Sequence, residues 1–129
     1  MQDNPTPSEI IGAVARFLKE VVAVETQGAT SFQARVSANA LEIVCRNLDL
    51  GPAEEAAETE RLKGLLGHAG GLGALNAALA LAIRDGALDL TTPGLAEHLW
   101  TTTLAKVAVD QPNYSGYRAA LAERSEPKD

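Results

Sequence analysis

The stretch from Gly71 to Gly86, GLGALNAALALAIRDG, decides the fold class. Its leucine, alanine and isoleucine residues recur at spacings of three and four, which is the periodicity of an amphipathic α-helix. Six residues share one broad face: Leu72, Leu75, Asn76, Leu79, Ala82 and Ile83. Gly86 follows Arg84 and Asp85 and predicts a left-handed cap at the carboxyl end. The stretch therefore predicts a helix with an alanine-rich core face.

Further helices are predicted on both sides of this one. Thr6 and Glu9 form a capping box with Pro7 at the first helical position, and we end this first helix near Val24. A second helix lies within residues 31–51 and stops at Gly51, and a third restarts at Pro52 and ends at Gly67. A fifth has Thr92 as its N-cap and ends at Pro112, and a short sixth runs through Leu121.

Large apolar side chains are expected to pack these helices together. They are Ile10, Ile11, Val14, Phe17, Leu18, Val21 and Val22 in the first helix, Phe32, Val36, Ala40, Ile43, Val44 and Leu48 in the second, and Leu95, Leu99, Trp100, Leu104 and Val107 in the fifth. No segment alternates cleanly as a strand does, although Thr101–Thr103 leaves a strand open as an alternative. We predict an all-α fold, an antiparallel helical bundle of five to six helices, in a single domain over residues 1–129 with flexible ends at 1–5 and 124–129.

Composition excludes several classes of function. The formal net charge of -6 repels nucleic acid, and the aromatic residues, 4% of the chain, are scattered rather than interleaved with basic residues. Cys45 is the only cysteine, so no intramolecular disulfide is expected. We expect no signal peptide, and the sequence has no run of about 20 apolar residues. We expect a cytoplasmic protein that binds neither nucleic acid nor membrane.

The glycine-rich stretch GHAGGLGALN, residues 67–76, raises the question of a phosphate loop. A Walker loop needs a lysine followed by serine or threonine, and this stretch has neither. The dinucleotide fingerprint fails as well, because Asn76 stands where its third glycine would be. We therefore interpret the stretch as a linker that ends the third helix and leads into the fourth.

The residues that could carry chemistry lack the required neighbours. His68 and His98 have no acid or second histidine at helical spacing on the same face, so we expect surface or half-buried histidines. The acidic run Glu54, Glu55, Glu58 and Glu60 lacks the Glu-x-x-His partner of a two-metal bundle. We predict no catalytic residue, no metal and no cofactor, and the sequence does not by itself identify an enzyme.

Polar residues within the apolar stripes allow two interpretations. Asn39 and Asn76 lie on the core sides of the second and fourth helices, where a buried amide must be hydrogen-bonded. One interpretation is a polar network that sets the helix register. The other is a ligand pocket between the second, fourth and fifth helices, lined by Arg35, Asn39, Asn76, Trp100 and Tyr114.

Four segments carry a resemblance to a known family: PTPSEIIGAVARFL, ARVSANALEIV, ALNAALALAIRDG and LAKVAVDQPNY. Together they resemble a small uncharacterised bacterial all-helical domain family that is encoded beside, or fused to, aminoglycoside-phosphotransferase-like kinases. The resemblance covers almost the whole chain and brings no catalytic residues with it. This chain lacks the glycine loop with lysine and the paired Asp and Asn of phosphoryl transfer, so the kinase activity belongs to the neighbour.

Two functional hypotheses follow. The preferred one is a non-catalytic accessory or protein-interaction domain, whose alanine- and leucine-rich helix face binds the kinase-like protein or a second copy of the chain in a homodimer. The alternative is a small-ligand-binding or enzymatic domain with a polar pocket between its helices. An exposed contiguous apolar patch supports the first hypothesis, and convergence of the five candidate residues on one cavity supports the second.

Overall fold

The computed structural model describes residues 4–125, which contain helices and no strand. Helix α1 covers Pro7–Phe17 and continues through a π-helical turn, Leu18–Val22, into the short α2, Ala23–Glu25. The later helices are α3, Gly28–Leu66, α4, Leu72–Arg84, α5, Leu95–Asp110, and α6, Ser115–Ser125. The all-α prediction is confirmed, and Thr101–Thr103 is helical. Of the ends predicted to be flexible, residues 1–3 and 126–129 lie outside the described range.

The predicted start of the first helix is confirmed. The backbone N–H of Glu9 donates to Thr6 Oγ1 at 3.2 Å, and the backbone N–H of Thr6 donates to Glu9 Oε2 at 2.7 Å. Pro7 occupies the first helical position, where its missing N–H leaves no hydrogen bond unmade. This reciprocal capping sets where α1 begins.

The predicted break at Gly51 and Pro52 is wrong, because α3 continues through both residues. A glycine commonly ends a helix by adopting a positive φ, and Gly51 does not have a positive φ. Gly67 does, with φ +74°, and its N–H donates to the carbonyl of Lys63 at 2.9 Å. The linker interpretation of the glycine-rich stretch is therefore confirmed at the point where α3 ends.

The left-handed cap predicted at Gly86 is confirmed, with φ +75°. The N–H of Ala87 donates to the carbonyl of Ala82 at 2.9 Å, and the N–H of Gly86 donates to that of Ile83 at 3.2 Å. These two bonds form a Schellman motif, which satisfies carbonyls left free at the end of α4.

The predicted N-cap of the fifth helix is wrong. Helix α5 starts at Leu95 and is capped by the backbone of Gly94, which has φ +85°. The Thr92 hydroxyl instead accepts from the backbone N–H of Asp89 at 3.0 Å, and the N–H of Thr92 donates back to the Asp89 carbonyl at 2.9 Å. The Thr92 hydroxyl, which the sequence predicted to cap the helix, therefore stabilises the turn before the helix instead.

The described chain divides between Gly51 and Pro52 into two compact units. In the first, α1 and α2 lie antiparallel to the first half of α3. The Ser31 hydroxyl donates to the Ala23 carbonyl at 2.7 Å, and the Cys45 thiol donates to the Ser8 carbonyl at 3.4 Å. Lys19 and Glu42 form an ion pair at 2.8 Å between these contacts. The single domain proposed for residues 1–129 stays a prediction.

Alanines form the buried interface of this hairpin, and this corrects the predicted packing faces. The buried apolar residues of the first unit are Ala15, Ala23, Ala34 and Ala38. Several large side chains expected to pack are exposed instead: Ile10, Val14, Phe17, Phe32, Val36, Ile43, Val44 and Leu48. Small side chains let two helix backbones approach closely, so α1 packs on the alanine side of α3 and leaves these larger side chains outside. Ile11, Leu18, Val21 and Val22 of the predicted first-helix face are half-buried.

The second unit has a leucine core. Leu62 of α3, Leu75 and Leu79 of α4, and Leu95 of α5 are buried against one another. Leu65, Leu66, Leu72 and Leu88 pack around them. The core face predicted for the fourth helix is confirmed at Leu72, Leu75 and Leu79, whereas Ile83, Leu99 and Trp100 are exposed rather than packed.

Candidate functional site

Five polar side chains from three helices of the second unit form what we call the polar cluster: Glu58, Arg61, Asn76, His98 and Thr102. Asn76 Nδ2 of α4 donates to Glu58 Oε1 of α3 at 2.8 Å. Arg61, one turn after Glu58, donates through a terminal guanidinium nitrogen to Thr102 Oγ1 of α5 at 3.3 Å. Spacings of three and four residues place each helix's contributors on one face.

His98 is the most buried member of the cluster, with 2% of its surface exposed. Its Nδ1 and the Nε of Arg61 are buried without a hydrogen-bond partner among residues 4–125. Burial first, and then the positive charge of Arg61, lower the pKa of His98, while the carboxylate of Glu58 opposes this shift. The neutral imidazole is therefore the favoured form, and it keeps one acceptor and one donor nitrogen.

The expectation that His98 is a surface or half-buried histidine is wrong. Leu95 and His98 are the two buried residues of α5, and a spacing of three residues puts both on the face that meets the core. That spacing was the sequence signal for His98. The sequence indicates the core-facing side of α3 less clearly for Glu58 and Arg61. Only their positions, one turn before Leu62 and one turn before Leu65 respectively, place them on it. His68 is exposed, as expected.

The five predicted pocket residues fall in both units. Arg35 and Asn39 are exposed residues of the first unit, and Asn76, Trp100 and Tyr114 belong to the second. Asn76 enters the polar cluster, whereas Trp100 and Tyr114 are about half exposed. The exposure of Asn39 corrects its predicted place in a buried network, because the face on which it lies is not the one packed against α1. The pocket as a whole stays a prediction.

Tyr114 stands beside a shallow hollow of about 250 Å³ that it lines with Val107, Asp110 and Gln111. Its backbone N–H donates to the Gln111 carbonyl at 3.0 Å, which closes the turn after α5. Arg118 donates to Asn113 Oδ1 at 2.6 Å from the next helix. These two contacts hold the turn around Pro112 between α5 and α6.

A second groove, of about 290 Å³, lies along α5 and α6. Leu104, Ala108 and Leu121 form its apolar floor, with Tyr117 and Arg124 beside them. Arg124 is held by an ion pair with Glu97 of α5. The groove therefore has an apolar floor and one cation already engaged by a carboxylate.

A family model described as a domain of unknown function, DUF6285, matches residues 24–114. The chain belongs to the DUF6285 family. No curated protein and no solved structure matches it. The DUF6285 match contains the whole polar cluster and α3 to α5, while α1 and α6 lie outside the matched residues.

Two further observations on this DUF6285 domain concern membrane-spanning helices and metal-binding groups. Among residues 4–125, no helix combines the length and the hydropathy required to cross a membrane. In the same range, no three histidine, cysteine or acidic side chains are grouped closely enough to hold a metal ion.

The unfolding free energy of this DUF6285 domain is expected to fall as the pH drops below about 6.5, the ordinary pKa of histidine. The pKa of His98 is lowered in the folded chain, so the unfolded chain takes up a proton first and is favoured. Urea unfolding at pH 7.5 and 5.5 measures this loss. His98→Gln is expected to reduce it and the matched His68→Gln to retain it, and an equal loss in both variants contradicts the assignment to His98.

Asn76→Ala is expected to lower the unfolding free energy by about 1–3 kcal/mol, because it leaves the partly buried Glu58 carboxylate without its amide donor. The matched Asn39→Ala is expected to change it by less than about 0.5 kcal/mol, since Asn39 is exposed. Thermal and urea unfolding compare the two variants. Equal losses at both positions are incompatible with this placement of the two amides.

Proposed function

We propose that the chain is a non-catalytic protein-interaction domain that acts as an accessory to a phosphotransferase-like kinase. The observation that carries the proposal is the first unit, whose fully buried apolar residues are all alanines while many of its large apolar side chains face solvent. A helical hairpin that is apolar on its outer faces gains stability and solubility by covering those faces with another protein.

The partner surface is the outer side of α1 and α2, which we call the α1 stripe: Ile10, Val14, Phe17 and Val24. These side chains are between 40% and 72% exposed. Together they leave on the order of 400 Å² of apolar surface in water, which is the size of the largest apolar patch on a typical monomer, and such patches are often functional. Phe17 is 56% exposed and supplies the kind of aromatic anchor that dominates binding energy in protein interfaces.

The kinase as partner is supported by the resemblance of four segments to a family associated with aminoglycoside-phosphotransferase-like kinases. The glycine-rich stretch that begins at Gly67 lacks the lysine of a phosphate loop, and Gly67 and its neighbours end α3 and lead into α4. In this accessory role the kinase catalyses phosphoryl transfer, and this chain supplies a surface that binds the kinase.

The proposal is tested with the purified chain and a purified phosphotransferase-like kinase from the same genome. We expect the two to co-elute in size-exclusion chromatography and to bind with measurable heat in calorimetry. Phe17→Glu is expected to weaken binding at least tenfold, because it places a charge at the centre of an apolar contact.

Leu90→Glu is the matched control for this experiment. Leu90 is 78% exposed and lies in the turn before α5, within the second unit. We expect it to bind as the unchanged chain does. No complex with the kinase, or equal binding by the Phe17 and Leu90 variants, overturns the proposal.

A small-ligand site at the polar cluster is the second candidate function. The observation that favours it is the pair of buried atoms without partners, His98 Nδ1 and Arg61 Nε, beside the hydrogen-bonded Glu58 and Asn76. A small ligand with one acceptor and one donor satisfies both atoms. Thermal-shift titration with acetate, phosphate and urea probes this site, and a stabilisation that Arg61→Met abolishes supports it.

A further inference from the structure

The first half of α3 carries a second exposed apolar surface, which we call the α3 stripe: Phe32, Val36, Ile43 and Leu50. All four side chains are exposed, from 37% for Ile43 to 62% for Phe32. At roughly 100° per residue they lie within roughly 40° of one line along the helix. Residues 31, 34, 38 and 45 lie on the opposite side, where α3 is buried or contacts α1 and α2.

We propose that the α3 stripe pairs with the α3 stripe of a second copy of this chain about a two-fold axis at Ile43. This rests on the proposed function in one respect only, namely that the first unit is an interaction module. Ile43 is the midpoint between Val36 and Leu50, which lie seven residues to either side. A two-fold axis there places Ile43 against its own counterpart, as an isologous dimer requires.

The spacing of the stripe suits a second helix. Val36, Ala40, Ile43, Asn47 and Leu50 follow one another at intervals of four, three, four and three, and all are exposed. This alternation is the seam of a coiled-coil pair, in which side chains of one helix fit between those of the other. From Phe32 to Leu50 the seam extends about 27 Å along the helix.

The area of the stripe agrees with the needs of a dimer. Four side chains with these exposed fractions present on the order of 350 Å² of apolar surface on each copy. Because about 65% of a homodimer interface is apolar, two stripes correspond to an interface of about 1,100 Å² in total. A biological interface buries at least about 1,000 Å² in total, so two stripes reach the lower end of the range for a specific dimer.

The small side chains inside the first unit favour a second copy of this chain as the occupant of the α3 stripe. Two helices whose fully buried apolar residues are alanines bury little apolar surface by themselves, and a second copy that covers the exposed side chains adds to that buried surface. A second copy is present whenever the chain is present and at the same concentration. The α1 stripe lies on the other helix of the hairpin and is left for a different protein.

The mass of the full chain in solution tests the inference. Light scattering after size-exclusion chromatography is expected to give twice the chain mass of 13.5 kDa. Ile43→Glu is expected to give the mass of one chain, because two carboxylates cannot share an apolar contact. Leu90→Glu, the matched control, is expected to remain dimeric. A monomeric unchanged chain, or a dimeric Ile43→Glu variant with native helix content, overturns the inference.

If Ile43→Glu fails to fold, a cysteine variant at the same position tests the pairing of the two α3 stripes. In a Cys45→Ala background, Ile43→Cys is expected to form a disulfide-linked dimer on mild oxidation, visible on a non-reducing gel. Val24→Cys in the same background is expected to stay uncrosslinked, and crosslinking of both or of neither overturns the pairing at Ile43. A monomer that still binds the kinase overturns this inference alone, whereas a dimer without kinase binding overturns only the proposed function.

Discussion

Leu62→Ala is expected to lower the unfolding free energy of the chain by about 2–5 kcal/mol, the largest loss we expect from one substitution. Leu62 is 0% exposed and packs against Leu75, Leu79 and Leu95 in the core of the second unit. Removing three carbon atoms there costs their transfer free energy and leaves a cavity that the surrounding leucines fill only in part.

Urea unfolding followed by circular dichroism measures this loss, with Leu81→Ala as the matched control. Leu81 lies on α4 and is about half exposed, so the same change there is expected to cost less than about 1 kcal/mol. Both variants are compared at one protein concentration, since association stabilises the folded chain by mass action. Comparable losses at Leu62 and Leu81 contradict the leucine core.

Ala38→Leu is expected to destabilise the first unit by about 1–3 kcal/mol. Ala38 is 0% exposed at the contact between α3 and α1, where the helices meet through alanines. A larger side chain has no space at such a contact unless the two backbones move apart. The substitution therefore tests whether close helix approach, rather than burial of large side chains, holds this hairpin.

Ala13→Leu serves as the matched control, because Ala13 is an exposed residue of α1. The same change there is expected to leave the unfolding free energy within about 0.5 kcal/mol. Amide hydrogen exchange locates the effect, and we expect faster exchange in α1 of the Ala38 variant. Slower exchange or a gain in stability from Ala38→Leu indicates a loosely packed hairpin and contradicts the alanine contact.

Only one member of the polar cluster, Asn76, was predictable from the sequence. Asn76 was singled out because an amide on an apolar face needs a partner, and it bonds to Glu58. Its neighbours Arg61 and His98 come from α3 and α5. No spacing within one helix reports a contact with another helix, so the cluster was not predictable as a unit.

The sequence by itself determined features that depend on a few neighbouring residues. The capping box of Thr6 and Glu9, the end of α3 at Gly67 and the left-handed cap at Gly86 are local hydrogen bonds and backbone conformations. Such features form from adjacent residues whatever the rest of the chain does. The leucine face of α4 was also predictable, since its stripe is the larger apolar side of that helix.

Only the tertiary structure decided which side of a helix is buried when both sides are apolar. The first half of α3 offers alanines on one side and Phe32, Val36 and Ile43 on the other, and periodicity alone favoured the larger side chains. Helix α1 packs on the alanines, because small side chains allow close backbone approach. The same contact leaves the larger side chains in solvent, where the proposed interactions of this chain arise.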